Sequence, residues 1–152
     1  MSDVFDDIVS YFNKEHGDSC VVDNEGKSVS MRVAGANEVY GTFCQVREAF
    51  LNIFFLRILK IPKEKTAQAC VLANMINAGA FAPFIISPED GDLIVRMSFA
   101  VEGCKLSHDA IKTTFGSLFE QVDKYYPAFQ KLVWADLSPE EAFDSVKLDK
   151  ED

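Results

Sequence analysis

The chain has 152 residues, 48% hydrophobic and 26% charged, which suits one globular domain of ordinary size and excludes an intrinsically disordered chain. Its 24 acidic side chains against 15 basic ones give a net charge of −9, which argues against nucleic acid and anionic lipid as partners. The most apolar run, 50–61, is broken by Asn52, Arg57 and Lys60 and falls short of the ~20 residues of a spanning helix, so no membrane segment is expected.

Residues 3–16 predict a helix. Val4, Phe5, Ile8, Val9 and Phe12 form one apolar stripe, with Asp3, Asp6 and Asp7 at the N-terminal end and Gly17 as the closing residue. Acid stands where a signal peptide would carry base, so a cytoplasmic protein is expected. Strands follow at 19–23 and 28–33, with Asn24-Glu25-Gly26 as the turn between them. Val29, Met31 and Val33 point one way in the second strand. The strand 39–46 alternates Tyr40, Thr42, Cys44 and Val46 with Val39, Gly41, Phe43 and Gln45. Gly41 inside it suggests a bulge or a close backbone approach. The strand 50–59 is apolar on both faces: Phe54, Leu56 and Ile58 on one, Ile53, Phe55 and Leu59 on the other. Such a strand needs cover on both sides, from its own chain or from another.

Pro62 opens a helix over 63–78 with Ala67, Cys70, Val71, Asn74, Met75 and Ala78 at helical spacing. A hairpin joins 84–87 to 93–102 through Asp90-Gly91. Ser107 caps a long helix whose apolar face is Ile111, Phe115, Leu118, Phe119, Val122 and Tyr126. Pro127 should end or kink it. Ser138-Pro139-Glu140-Glu141 is a capping box that starts a last helix. The order α-β-β-β-β-α-β-β-α-α predicts an α+β fold, an antiparallel sheet with helices packed on it. Residues 1–148 read as one domain, followed by a charged tail, 149–152.

No constellation for catalysis is evident. His16 and His108 fall at helix ends, with no nucleophile pattern beside them in sequence. Asp90 and Asp92 flank a turn glycine, where Asp is favoured for backbone reasons. Cys20, Cys44, Cys70 and Cys104 form no CxxC, so neither metal nor cofactor is expected, and the four thiols read as small buried side chains. There is no GxxxxGK[ST], GxGxxG or GxSxG motif. Asn74 and Asn77 near a helix C-terminus can bond free carbonyls and guide the chain into the next strand, or contact a ligand.

The informative residues are therefore apolar. Thirteen phenylalanines fit either a dense core or a partner surface. The candidate interface residues are Phe54, Phe55, Leu56 and Ile58 in the doubly apolar strand, and Tyr125, Tyr126, Phe129 and Trp134 beside Pro127.

Several local patterns resemble the YbjN-like family of bacterial proteins. They are Leu72-Ala73-Asn74-Met75-Ile76-Asn77 at the end of the middle helix, Asp90-Gly91-Asp92 with Val95-Arg96-Met97 in the hairpin, and Val122-Asp123-Lys124-Tyr125-Tyr126-Pro127 followed by Ser138-Pro139-Glu140-Glu141-Ala142. The resemblance covers about residues 60–143, and the first 60 only in element order. It implies a type III secretion chaperone-like fold and a non-enzymatic, chaperone-like or regulatory protein-binding module, of a kind grouped under sensory transduction regulators. It names no catalytic residue. The expected partners are a second copy of the chain, from the doubly apolar strand, and another protein. The alternative is a small-molecule or peptide sensor with a pocket between helix and sheet.

Overall fold

A computed structural model describes residues 3–148; the expected charged tail lies outside the described residues. The elements are α1 (Val4–His16), β1 (Cys20–Asp23), β2 (Ser28–Ala34), β3 (Val39–Arg47), β4 (Phe50–Lys60), α2 (Thr66–Asn77), β5 (Phe84–Ile86), β6 (Asp92–Ala100), α3 (His108–Trp134) and α4 (Pro139–Leu148). This is the expected order. All strands join one antiparallel sheet, β1-β2-β3-β4-β6-β5.

Local chemistry sets the helix starts. The Asp3 carboxylate accepts from Asp6 N at 2.9 Å, and Asp6 reciprocates. Ser107 Oγ accepts from Ala110 N, and Ser138 and Glu141 cap each other across the first turn of α4. In the β5–β6 turn the Asp90 carboxylate accepts from Asp92 N, and Gly91 takes φ +75°, which favours glycine.

Alternation along the strands buries one face of the sheet. Val29, Met31, Tyr40, Cys44, Leu51, Ile53, Phe55, Leu93 and Val95 point inward, where α1 and α3 cover them. From α3 come Ile111, Phe115, Leu118, Val122, Tyr126 and Phe129, all buried. Each such side chain contributes ~1.5–3 kcal/mol by leaving water. Helices α2 and α4 pack together beside α3, with α2 also on β5.

Pro127 does not break α3, which runs on to Trp134. Proline lacks the N–H that would bond the carbonyl four residues earlier, that of Asp123. Asn37 Nδ2, from the β2–β3 turn, donates to that carbonyl at 2.8 Å instead. The Asp123 carboxylate accepts from Ala36 N at 3.0 Å, Asn37 N at 3.1 Å and Tyr40 Oη at 2.8 Å. One turn on, Tyr126 Oη donates to Glu38 at 3.1 Å. A break is thus avoided because a distant turn satisfies the orphaned carbonyl.

Helix α2 faces the other way from expectation. Ala69, Leu72, Ala73 and Ile76 are buried, while Ala67, Cys70, Val71, Asn74 and Ala78 are exposed. Small and apolar residues lie on both sides of this helix, so periodicity alone allowed two faces. Packing against α4 and β5 selects one. Asn77 does guide the chain: its amide accepts from Phe84 N at 2.8 Å and donates to Phe84 O at 3.0 Å. Gln121 adds a second clamp, accepting from Phe81 N and Ala82 N and donating to Ala82 O.

The cysteines also depart from expectation. Cys44 is buried and Cys20 half-buried, but Cys70 and Cys104 are exposed. Burial pushes the Cys44 thiol up to about 12. At neutral pH a thiol reagent should therefore label Cys70 and Cys104 in the folded protein and Cys44 only after denaturation; labelling of a Cys70→Ser/Cys104→Ser variant at the wild-type rate would contradict this.

The Asp123 contacts carry a second expectation. Asp123→Ala should cost about 2–4 kcal/mol in urea unfolding, because three donors lose a charged acceptor. A Cβ on Gly35 would lie 2.3 Å from Asp123 Oδ1 and 2.9 Å from the Tyr40 ring. Gly35→Ala should accordingly cost more than about 1 kcal/mol alone and measurably less once Asp123 is alanine. Strictly additive costs would show that the turn and α3 are not coupled through this carboxylate.

Candidate interaction surface

Strand β4 decides which side chains remain outside. Its alternation holds from Leu51 to Phe55: Leu51, Ile53 and Phe55 point in, Asn52 and Phe54 out. The pairing with β6 then shifts between Phe55 and Leu59, and Arg57 takes φ +49°. Four residue steps on β4 there face two on β6, so the bulge adds two residues, keeps Leu59 on the inward side of Phe55 and turns Ile58 inward as well. Ile58 is thus removed from the face of Phe54 and Leu56 on which the alternation had put it. Phe55 is 0% exposed, with ring contacts to Tyr40 and Phe115. Both residues are core, and neither can meet a partner on the surface of this fold. The strand is apolar on both sides in part because the bulge carries Ile58 into the core beside Leu59.

The outer sheet face is organised in rows. The register aligns Val21, Ser30, Phe43, Phe54 and Arg96 across five strands. The Phe43 and Phe54 rings lie 6.0 Å apart, and the Arg96 guanidinium stands 5.5 Å above Phe54. The next row is Arg32, Gly41 and Leu56, followed by Arg57. Five of the eight exposed large apolar side chains sit on outward strand positions: Val21, Val39, Phe50, Leu56 and Ile85. Val21 is 68% exposed and Leu56 39%. A shallow groove of about 830 Å³ runs between the rows, lined by Val21, Arg32, Val39, Phe43, Leu56 and Arg57. Gly41 is part of its floor; a Cβ there would meet nothing nearer than the Leu56 carbonyl at 3.8 Å. That glycine marks neither a bulge nor a close approach. It leaves the groove open.

The aromatic group near Pro127 does not form one patch. Tyr126 and Phe129 are buried. Burial and the hydrogen bond to Glu38 push the Tyr126 phenol up to about 12. Tyr125 is half-buried, edge-on to Phe84, with the Lys124 ammonium over its ring. Trp134, 66% exposed, stands alone of the four at the end of α3.

Other clefts suit a ligand less well. The space between α1, α3 and the sheet, bounded by Ile8, Phe12, Leu51, Phe99, Leu106 and Phe115, holds about 40 Å³. Small-molecule pockets run to ~300–1,000 Å³, and this space is smaller than that. A depression of about 850 Å³ at one end of the sheet places Asp3, Glu48 and Glu102 beside Lys27 and Lys105, with Lys27 and Asp3 already paired. The structure also brings Ser10 Oγ within 3.3 Å of His108 Nε2, a pair far apart in sequence that ties α1 to the start of α3 on the exposed surface. Among the described residues no His, Cys, Asp and Glu group could hold a metal ion, and no helix is long and apolar enough to cross a membrane.

Comparison with known proteins agrees with this architecture. The fold is shared with a chain of the HopA1–SchA chaperone–effector complex, at 17% identity and a TM-score of 0.52 over 74% of this chain and 84% of that one. It is shared also with YbjN from E. coli, at 10% identity and a TM-score of 0.57 over 78% and 85%. The fold class is therefore type III secretion chaperone-like α+β, as the resemblance implied. The YbjN family profile, described as "Putative bacterial sensory transduction regulator", matches residues 9–131. The chain belongs to the YbjN family. A search of curated proteins finds no match.

Lysine substitutions test the two sides of β4. Phe55→Lys and Ile58→Lys should each lose about 3–5 kcal/mol or fail to fold, since each buries an unpaired charge. Phe54→Lys and Leu56→Lys should stay folded, within about 1 kcal/mol of wild type. Circular dichroism and urea unfolding read the difference; an Ile58→Lys variant as stable as Leu56→Lys would refute the bulge.

Proposed function

We propose that the protein is a non-enzymatic binding module, chaperone-like or regulatory, whose partner is another protein. The observation that carries this reading is the outer sheet face, with its five exposed apolar side chains and open groove. Soluble domains seldom leave such a face without use. Membership of the YbjN family and a fold shared with a chain of a chaperone–effector complex support the same reading. A homodimer is the second reading, and it rests on Phe54 and Leu56, the two of the four candidate residues in the doubly apolar strand that remain outside.

The experiment uses variants that alter the groove without unfolding the chain. Gly41→Val should fill the groove and hold or raise stability, since β-branched residues suit a strand and the space is open. Leu56→Lys puts a charge on the same face. Proteins captured from an extract of the source cells by the wild type should be lost by both variants and retained by Trp134→Ala, with the uncomplexed wild type monomeric in sedimentation. Equal capture by all four proteins would sink the reading. A wild-type dimer that Leu56→Lys converts to a monomer would assign the face to a second copy.

A further inference from the structure

The sequence contains four arginines, Arg32, Arg47, Arg57 and Arg96, and every one is exposed on a strand. The register puts Arg32, Arg47 and Arg96 at outward positions, and Arg57 lines the groove. None lies on a helix. In an acidic protein such residues ordinarily find carboxylates of their own. Here, among the described residues, the ion pairs are Lys27–Asp3, Lys60–Asp92 and Lys65–Asp136, so no arginine is paired with an acid. The acids at outward strand positions are occupied locally. Asp23 accepts from Glu25 N and Gly26 N in its turn, and Asp92 faces Lys60 at 4.0 Å. The outer face is thus positive and apolar on a chain of net charge −9.

Guanidinium groups take carboxylates through two parallel hydrogen bonds, which a lysine cannot do. Arginine is also enriched in the energetic centres of protein interfaces. The rest of the molecule repels an acidic chain, so this face is where the field would collect one. A second copy is a poor match, because two-fold pairing of one face apposes its arginines. Nucleic acid is a poor match too. The net charge of −9 opposes phosphate over the rest of the molecule.

We propose that the outer sheet face binds an extended acidic segment of another protein, with the segment's carboxylates on Arg32, Arg57 and Arg96 and its apolar side chains in the groove beside Leu56. This rests on the protein-binding reading above and adds the chemistry of the partner. Crossing the four strand spacings from Val21 to Arg96, at ~4.8 Å each, takes about six extended residues at ~3.3 Å each.

The test selects peptides of about ten residues, long enough for that crossing, from a random library displayed on phage, with the full chain immobilised. The best binder is then synthesised with a fluorophore, and its affinity is measured by anisotropy. The wild type, an Arg32→Gln/Arg57→Gln variant and Leu56→Lys are compared after circular dichroism has shown all three to be folded, and labelled oligothymidine is run as a second probe. Selected peptides should combine Asp or Glu with Phe, Leu or Ile. Their affinity should fall at least about tenfold on the arginine variant and weaken as salt is raised. Selected peptides without an excess of acid, or acidic peptides bound equally by wild type and arginine variant, overturn the proposal. If those peptides are still lost on Leu56→Lys, the protein-binding reading survives without it. Failure to enrich any peptide, or tighter binding of oligothymidine than of the selected peptide, overturns both.

Discussion

The hold of the β2–β3 turn on α3, through Asp123, is the constraint on which the rest of the structure depends. Proline at 127 leaves the Asp123 carbonyl without its helical donor, and Asn37 supplies one. The carboxylate of the same residue gathers two backbone N–H groups and the Tyr40 hydroxyl. Tyr40 is thereby closed among Phe55, Phe119 and Tyr126, at the centre of the inner face. Gln121 lies two residues earlier, about 200° around the helix, and holds the segment before β5. One stretch of α3 therefore anchors a turn on each side of it, and the long helix is fixed over the sheet between them.

With the inner face sealed in this way, the bulge in β4 determines what is left outside. Without the bulge, strict alternation would put Ile58 beside Leu56 on the outer face and Arg57 toward the core. The left-handed backbone at Arg57 costs ~1–2 kcal/mol against a right-handed residue, and in exchange Ile58 joins Leu59 in the core while a guanidinium stays in water. The outer face then pairs Phe43 with Phe54, leaves a groove above Gly41, and collects the arginines of the chain. Its apolar character and its charge have the same origin, since both follow from which parity each strand presents to the helices. The functional reading comes from this face rather than from any catalytic group.

The helical layer shows how little a local pattern constrains when both sides of an element are alike. On α2 the buried stripe of Ala69, Leu72, Ala73 and Ile76 and the exposed Ala67, Cys70, Val71 and Ala78 differ little in size or polarity. The choice between them falls to α4 and β5. Phe129 and Trp134, a little over one helical turn apart on α3, meet opposite fates: the first packs on Phe84, and the second stands in solvent at the helix end.

By itself the sequence determined the elements and their order. Helix starts at Asp3, Ser107 and Ser138, the Asp90-Gly91 turn and the alternation of β2, β3 and β6 depend on residues within a few positions of one another, and those interactions form whatever the rest of the chain does. The tertiary structure alone decided the continuity of α3 through Pro127, the buried side of α2, the bulge at Arg57, the exposure of Cys70 and Cys104, and the gathering of the arginines on one face. Each of these turns on a partner far away in the chain: Asn37 for the Asp123 carbonyl, α4 for α2, β6 for the register of β4. Local periodicity records how a segment can bury its own side chains, but whether it does so depends on which distant group arrives to cover them.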